Sequence, residues 1–375
     1  MAEEFSCGAH TAFLFTRGGG TNLGELTPLS AVQWQRVRDE VSSANVSVAT
    51  AGCCELLGDA RCIQHELHIY RNGTRVWCGP VTRIEYEVDK VQLFAEDLLW
   101  QTKRTVIQQG YSNAYPNIGL SMDNVNNLLR AVYPPAGNPW NVTLQPMYNP
   151  TPGDAGPRTS KVVHRYQEYV YDDVDSYAAD GGIDYLCVNR RVYYNDTHLA
   201  WNDLPDMDEQ WISEWPRVVE YGMQVATWGV VTDGFGHGVN VQGPPEWDTA
   251  YGRVDLLTSL VDDKDVAPEA PPTPDELLAW SSIAQRAIGN RAPAPLALVI
   301  PANSTLMPGA PWVIEDLLPG SWFRMSVSRY CRPVHSEWQK LDEVVVTETP
   351  EQGEQVHFSA ATAPAGRIDW VPPPP

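Results

Sequence analysis

At 375 residues the chain is too long for one small core, and two or three domains are expected. Its 43% hydrophobic and 10% aromatic content excludes a disordered chain, while 28 Gly and 31 Pro favour many turns and short strands over long helices. A net charge of −21 argues against tight non-specific binding to a phosphate backbone; it suits a soluble surface, or a passage through which nucleic acid moves without sticking.

In chain order, the N-terminal MAEEFSCGAH is acidic and lacks a basic stretch before an apolar core, so no signal peptide is expected. Residues 29–39 read as a strand with Val32, Trp34 and Arg36 on one face, and Asn45 to Val48 repeats the pattern. HIYRNGTRVWCGPV, residues 68–81, reads as a hairpin. Asn72-Gly73 supplies the two positive-φ positions of a type I′ turn, Leu67 and Ile69 share a face opposite Glu66 and His68, and Gly79-Pro80 breaks the return strand after Trp77. Strands at 81–87 and 91–94 follow, then a short helix at 96–103.

Beyond residue 106 the composition shifts to Tyr, Asn, Pro and Gly. Helices are expected at 121–133, with Ser121 as N-cap and Val125, Leu128, Leu129 and Val132 as its stripe, and at 166–179. A hairpin turns at Asn189-Arg190. Strand-like segments resume at 216–231 and 239–243. A helix over 274–288 carries a Thr273/Glu276 capping box, Pro274 at its first position and Gly289 at its end. Pro-Gly turns at 308–309 and 319–320 punctuate the last strands, and VPPPP ends the chain as an extended tail.

A search for chemistry finds none. No P-loop, dinucleotide fingerprint, HExxH or nucleophile elbow occurs, and GFGHG at 234–238 lacks the strand-to-helix context of a phosphate cradle. The seven cysteines, Cys7, Cys53, Cys54, Cys62, Cys78, Cys187 and Cys331, show no disulfide framework and suit a reducing cytoplasm. Cys62, His65 and their neighbours resemble a loose zinc half-site, but a strand over 62–70 places 62 and 65 on opposite faces, so small buried hydrophobes are the better reading. The pairs Asp172-Asp173, Asp206/Asp208 and Asp262-Asp263 read as solvated turns. PLALVIP is too short to span a bilayer. No catalytic residue, cofactor or metal is therefore assigned.

The order of segments carries more information. Arg71, Gly73, Val76, Trp77, Gly79 and Pro80, followed by Ala95, Asp97 and Leu98, resemble the N-terminal arm of minor tail proteins from long-tailed actinobacteriophages. The Gly-Gly-Ile-Asp-Tyr hairpin at 176–194, VVEYG at 218–222, AYGRVD at 250–255, the capped helix and SWFRMSV after Gly320 resemble the same family. The resemblance implies a mainly β, α+β protein with two tail-tube-like antiparallel barrel or sandwich domains and an inserted α+β module. It places the first β domain at 1–105, possibly completed by strands near 195–215. The module falls at 106–200 and the second β domain, with the capped helix and tail, at 201–375. It further implies a homotrimeric tail hub in the virion, assembled in the host cytoplasm. Such a hub forms a pseudo-sixfold ring between a distal tail or tube protein and tip or central-fibre proteins, and an acidic channel passes DNA without binding it. In that setting Asn72, Gly73, Trp77, Gly79 and Pro80 are the structural and interface candidates. The competing readings are a receptor- or glycan-binding tip protein, with Trp- and Tyr-rich stacking platforms at 111–150 and 201–215, and, more distantly, a cell-wall hydrolase.

Overall fold

Strands dominate the computed structural model, which describes residues 9–49, 56–108, 111–112, 119–147, 158–159, 162–163, 168–179, 182–219, 225–259, 271–290, 297–328, 335–363 and 368–369. The expected tail, Cys53-Cys54, Asp262-Asp263 and part of VVEYG lie outside these residues.

Seven strands form the N-terminal part: β1 (His10–Thr16), β2 (Asn22–Glu25), β3 (Leu29–Val37), β4 (Ser43–Ala49), β5 (His65–Arg71), β6 (Thr74–Tyr86) and β7 (Lys90–Glu96). A 3-10 turn, Leu98–Arg104, stands where a short helix is expected. The middle region contributes α1 (Ser121–Val132), β8 (Thr143–Met147), α2 (Val170–Ala179), β9 (Ile183–Val188) and β10 (Arg191–Asp196). There follow β11 (Met207–Asp208), β12 (Arg217–Val219), β13 (Trp228–Thr232), β14 (Gly238–Gln242), α3 (Pro245–Tyr251), β15 (Asp255–Ser259) and α4 (Pro274–Asn290). The chain closes with β16 (Ala297–Val299), β17 (Ser304–Thr305), β18 (Trp322–Val327), β19 (His335–Thr349) and β20 (Gly353–Thr362).

One twelve-stranded sheet takes strands from both ends of the chain, in the order β11-β18-β19-β3-β4-β7-β6-β5-β1-β2, with β20 on β19 and β17 on β20. Its terminal strands β2 and β11 do not pair, so among the described residues no barrel closes. The two β regions expected as separate barrels or sandwiches instead share this sheet, joined where β3 meets β19 from Val37–Glu343 to Val32–Glu348. One core lies against it, running from Leu14, Trp34, Val46, Leu67 and Trp77 to Phe323, Leu341, Val344 and Phe358. Trp312 meets the edges of Phe323 and Phe358 at centroid distances of 4.8 and 5.2 Å.

Two long strands change partners along their length. β19 pairs with β18 over 335–340 and with β3 over 343–348, the change falling at a bulge that leaves Asp342 unpaired. β6 pairs with β5 over 74–80 and with β7 over 81–86. Gly79-Pro80 therefore does not break the strand, as its residue types suggest; it marks the handover between partners.

Val32, Trp34 and Arg36 share the buried face of β3. Arg36 enters the core because a bulge in β6 leaves Val76 between the pairs Ile69–Trp77 and Tyr70–Arg75. The guanidinium donates to the Val76 carbonyl at 2.8 Å and to the carbonyls of Glu315 and Leu317 at 3.0 and 2.7 Å. Burial lowers its pKa to about 10, so it stays charged at neutral pH.

Two α+β bodies flank the sheet. In the first, β8-β10-β9 form a three-stranded sheet covered by α1 and α2, with Val125, Leu129, Val174, Tyr177 and Tyr185 in a core that also takes Val41, Leu98 and Leu99. The α1 stripe is buried as its spacing predicts. In the second, β14-β13-β15 pack on α4 around Val231, Trp280 and Ala284. That body rises from a stem in which β12 pairs with β16. Thr273 and Glu276 make the expected capping box, with the Thr273 N–H donating to Glu276 at 2.6 Å, while α4 runs through Gly289 to Asn290.

Replacing Arg36 with Met keeps much of its volume but strands three carbonyls, those of Val76 and Leu317 in buried contacts. The Arg36→Met variant is expected to lose about 3 kcal/mol or more, read as a lower midpoint in urea unfolding; an unchanged midpoint would show that the carbonyls find other donors.

Candidate functional site

The hairpin of β5 and β6 holds all five residues singled out in the sequence. At its tip Asn72 and Gly73 adopt φ of 49° and 81°, the two left-handed positions of the expected turn. The tip is docked rather than free. The Asn72 N–H donates to the Ala9 carbonyl at 2.9 Å, and Arg71 forks between Glu354, at 2.7 Å to each oxygen, and Glu315 at 2.5 Å. Trp77 is buried in the sheet's core, and among the described residues its indole N–H meets no acceptor, so packing sets the ring.

Gly79 is fixed by sterics. A Cβ there would lie 1.9 Å from the carbonyl oxygen of Glu96 and 2.9 Å from the Trp77 ring. Pro80 follows, opposite Glu66, and Val81 then pairs with Ala95 of β7. The two quoted segments, around Gly79-Pro80 and around Ala95-Asp97, thus meet in space.

Asp97 completes the joint. Its carboxylate accepts the Leu99 N–H at 2.8 Å, capping the 3-10 turn, and the Ser42 N–H at 2.9 Å, while its own N–H donates to the Ser42 carbonyl. Among the described residues no cation stands in its hydrogen-bond shell, and burial pushes its pKa up to about 7 against the pull of those N–H donors.

The opposite face of β5, expected to be its polar side, is buried too: Glu66 and His68 are 0% and 1% exposed. They face the first α+β body. Glu66 accepts from the Gly18 N–H at 2.7 Å, from His68 at 3.2 Å and from Arg190 at the β9–β10 turn. Burial alone would raise Glu66, but His68 and Arg190 outweigh it and hold the pKa below the ordinary value; burial lowers His68, keeping it neutral. Arg190 also donates to the Trp140 carbonyl at 2.5 Å. Gly18 and Gly19 close this seam, since side chains there would strike the Pro139 carbonyl at 2.8 Å and Arg190 at 2.5 Å.

A second charged seam lies at the bulge of β19. Asp184 of β9 receives Lys340 and, at 2.5 Å, Arg38, which also binds Asp342 at 2.6 Å and Asp39 at 3.0 Å. Lys340 further donates to the Thr197 carbonyl at 2.6 Å. Burial alone would raise Asp184, yet Lys340 and Arg38 draw it well below its ordinary value. Two cations thus meet three carboxylates within hydrogen-bond distance and fix β9 against β19.

Other sequence candidates fall into structural places. GFGHG is the loop between β13 and β14, where Asp233 accepts the N–H groups of Phe235 and His237 and binds the His237 ring at 2.6 Å. Asp172 and Asp173 sit in the first turn of α2, and Asp173 is buried, unlike the solvated turn expected. Asp208 caps a short 3-10 turn. Cys78 and Cys187 are buried and Cys62 is exposed. Among the described residues no group of three or more His, Cys, Asp or Glu could hold a metal ion, and no helix is long and apolar enough to cross a membrane. Of the aromatics expected as stacking platforms, Tyr133, Trp140 and Trp201 are buried and Trp211 half-buried, leaving Trp215 exposed among the described ones. The reading from sequence missed Glu66, His68, Arg190, Arg38, Asp184, Lys340 and Gly18-Gly19. A visible signal existed only for the last, in the run Arg17-Gly-Gly-Gly.

No family model matches the sequence, and no curated protein matches it. Solved structures do match the fold. The chain is similar to the 43 kDa tail protein of prophage MuSo2 from Shewanella oneidensis, with a TM-score of 0.54 at 10% identity over 94% of this chain and 98% of that one. It is similar to a tail protein from Neisseria meningitidis, with a TM-score of 0.56 at 11% identity over 94% and 96%. It is also similar to a prophage tail protein from Listeria monocytogenes, with a TM-score of 0.53 at 9% identity over 93% and 94%. At these identities the likeness is one of fold.

Two outcomes test the joint. Gly79→Ala, whose methyl meets backbone, is expected to cost several-fold more stability than Gly73→Ala, which sits in open space and pays about 1 kcal/mol for its positive φ, both read by thermal unfolding. Equal losses would remove the steric role of Gly79. For Asp97, a pKa raised from 3.8 to about 7 means the folded state binds the proton more tightly than the unfolded chain. Its stabilising contribution is thus complete below pH ~4 and lost as pH rises through ~7. Wild-type stability, measured against Asp97→Asn, should fall by about 2–4 kcal/mol from pH 4 to pH 8, at about 1.4 kcal/mol per unit. A flat difference would show an ordinary carboxylate.

Proposed function

We propose that this chain is a structural component of a phage-type tail, and that it acts as a trimeric hub at the tail tip. The carrying observation is the likeness of fold to three tail proteins that extends over at least 93% of both chains in each comparison. Those neighbours match the chain from end to end rather than one module of it, so the shared architecture includes the sheet and the bodies that flank it.

In this proposal the β1–β7 half and the β16–β20 half each act as one tube-like unit, and three copies present six such units around a bore. The division into 1–105, 106–200 and 201–375 belongs to the same proposal, with the sheet crossing it at β3 and β19. Neighbours above and below are a tube protein and tip or fibre proteins, and DNA passes through without being held. The net charge of −21 supports passage without retention, because phosphate contacts need cations. The groups buried at the two seams serve rigidity, which a ring carrying load requires, and nothing in their geometry calls for a substrate.

Light scattering on the purified full chain, followed by negative-stain images, tests the hub. A mass of three times 41.7 kDa with small rings and a central hole is expected. A monomer that persists across the accessible concentration range, with no rings, would overturn the trimeric hub.

A further inference from the structure

The handover in β6 leaves a groove on the outer face of the sheet. Its volume is about 430 Å³, within the range of small-ligand sites, and its lining includes Gln33, Asn45, Thr82, Arg83, Phe94 and Glu96. Four of these form one row across the strands, Gln33–Asn45–Phe94–Arg83, which at ~4.8 Å per strand spacing spans roughly 14 Å. Glu96 lies beside the row, paired with Ser43, and the register shift between Val81 and Arg83 places Thr82 in the groove, where its hydroxyl donates to the Phe94 carbonyl at 3.3 Å.

We propose that this groove binds a short uncharged saccharide. The side chains of Gln33, Asn45 and Glu96 make no hydrogen bond or ion pair with any described residue, yet they converge on one space with Thr82. Two amides, a carboxylate and hydroxyl groups supply donors and acceptors at the density of a polyol's hydroxyls. Phe94 offers the flat apolar surface that a sugar ring's C–H face needs. Arg83 lies 3.9 Å over that ring; its exposed side chain has rotamers that clear the ring and bring its N–H groups to the hydroxyls of a bound sugar.

Other ligand classes fit less well. An anionic polymer meets one cation, Arg83, which Glu85 already faces at 3.4 Å. An extended peptide meets the face of a paired sheet, where the strand ladder consumes the backbone groups that would hold its main chain. A wholly apolar ligand would strand the amides. The proposal does not depend on the ring, since the groove is complete within one copy.

The test is titration of the full chain with maltotetraose, cellotetraose and chitotetraose by calorimetry and saturation-transfer NMR. At least one is expected to bind with a Kd of about 1 mM or tighter. Asn45→Ala and Glu96→Gln should each weaken it at least about tenfold, while Gln355→Ala, outside the groove, should not. Matching thermal midpoints of all variants would confirm that each is folded. Absence of binding by all three sugars at about 10 mM, or binding that Asn45→Ala and Glu96→Gln leave unchanged, would overturn the proposal. Tighter binding of heparin or of an unstructured peptide at the same residues would overturn it as well.

Discussion

The Glu96 carbonyl occupies the place where any side chain on residue 79 would have to go, and the rest of the architecture follows from that close approach. β6 pairs with β5 as far as Pro80 and with β7 from Val81. At residue 79 the end of β7 comes against β6 backbone to backbone, which a Cβ would forbid. Pro80, with no N–H to place in a ladder, stands beside it, so the change of partner leaves no donor unmet there. Asp97 then ties the end of β7 to the β3–β4 turn, and through that turn to the strand that meets β19. A contact between two peptide groups thereby orders a sheet whose strands come from opposite ends of the chain.

The bulges extend the same logic. Two of the bulges leave a residue out of the ladder whose carbonyl is met by an arginine from one short stretch of chain. Val76, skipped in β6, gives its carbonyl to Arg36; Asp342, skipped in β19, gives its carbonyl to the Arg38 N–H and its carboxylate to the Arg38 guanidinium. Arg36 lies on β3 and Arg38 just past its end, so one short stretch of chain serves both bulges. The charged groups at β19 are therefore tied to the bulge there. Desolvating them is costly, and the cost is offset only because every charge finds its partner within hydrogen-bond distance.

Local features were legible in the sequence wherever a residue's role depended on its own neighbours. The Asn72-Gly73 turn, the α1 stripe and the Thr273/Glu276 box follow from backbone preference and periodicity over a few positions. Failures came where a distant residue decides. Gly79-Pro80 reads as a stop because both residues end strands elsewhere; here Glu96, many positions later, turns them into a continuation. Alternation places Glu66 and His68 opposite Leu67 and Ile69 without saying what covers them; Arg190 arrives from the far side and they are buried. Nothing local in Asp184 or Lys340 distinguishes an ion pair across the chain from two surface charges.

The free edges of the sheet limit how copies of this chain can meet. β2 is four residues long and β11 two, while the outer edge of β20 is covered around Phe358 by residues 303–306. Short or covered ends are how sheets avoid uncontrolled pairing, and they leave few backbone groups for a neighbour to use. The β5–β6 tip is also spent, held by Glu315, Glu354 and the Ala9 carbonyl. In the ring proposed above, side-chain surfaces would then carry the contacts between copies. The β6–β7 turn is one such surface, where Tyr86 is 60% exposed and Val88 99% exposed. A hairpin tip that presents apolar side chains while its backbone is already paired offers a neighbour packing and no ladder, and in the ring proposed above such packing would tolerate small changes of angle between copies.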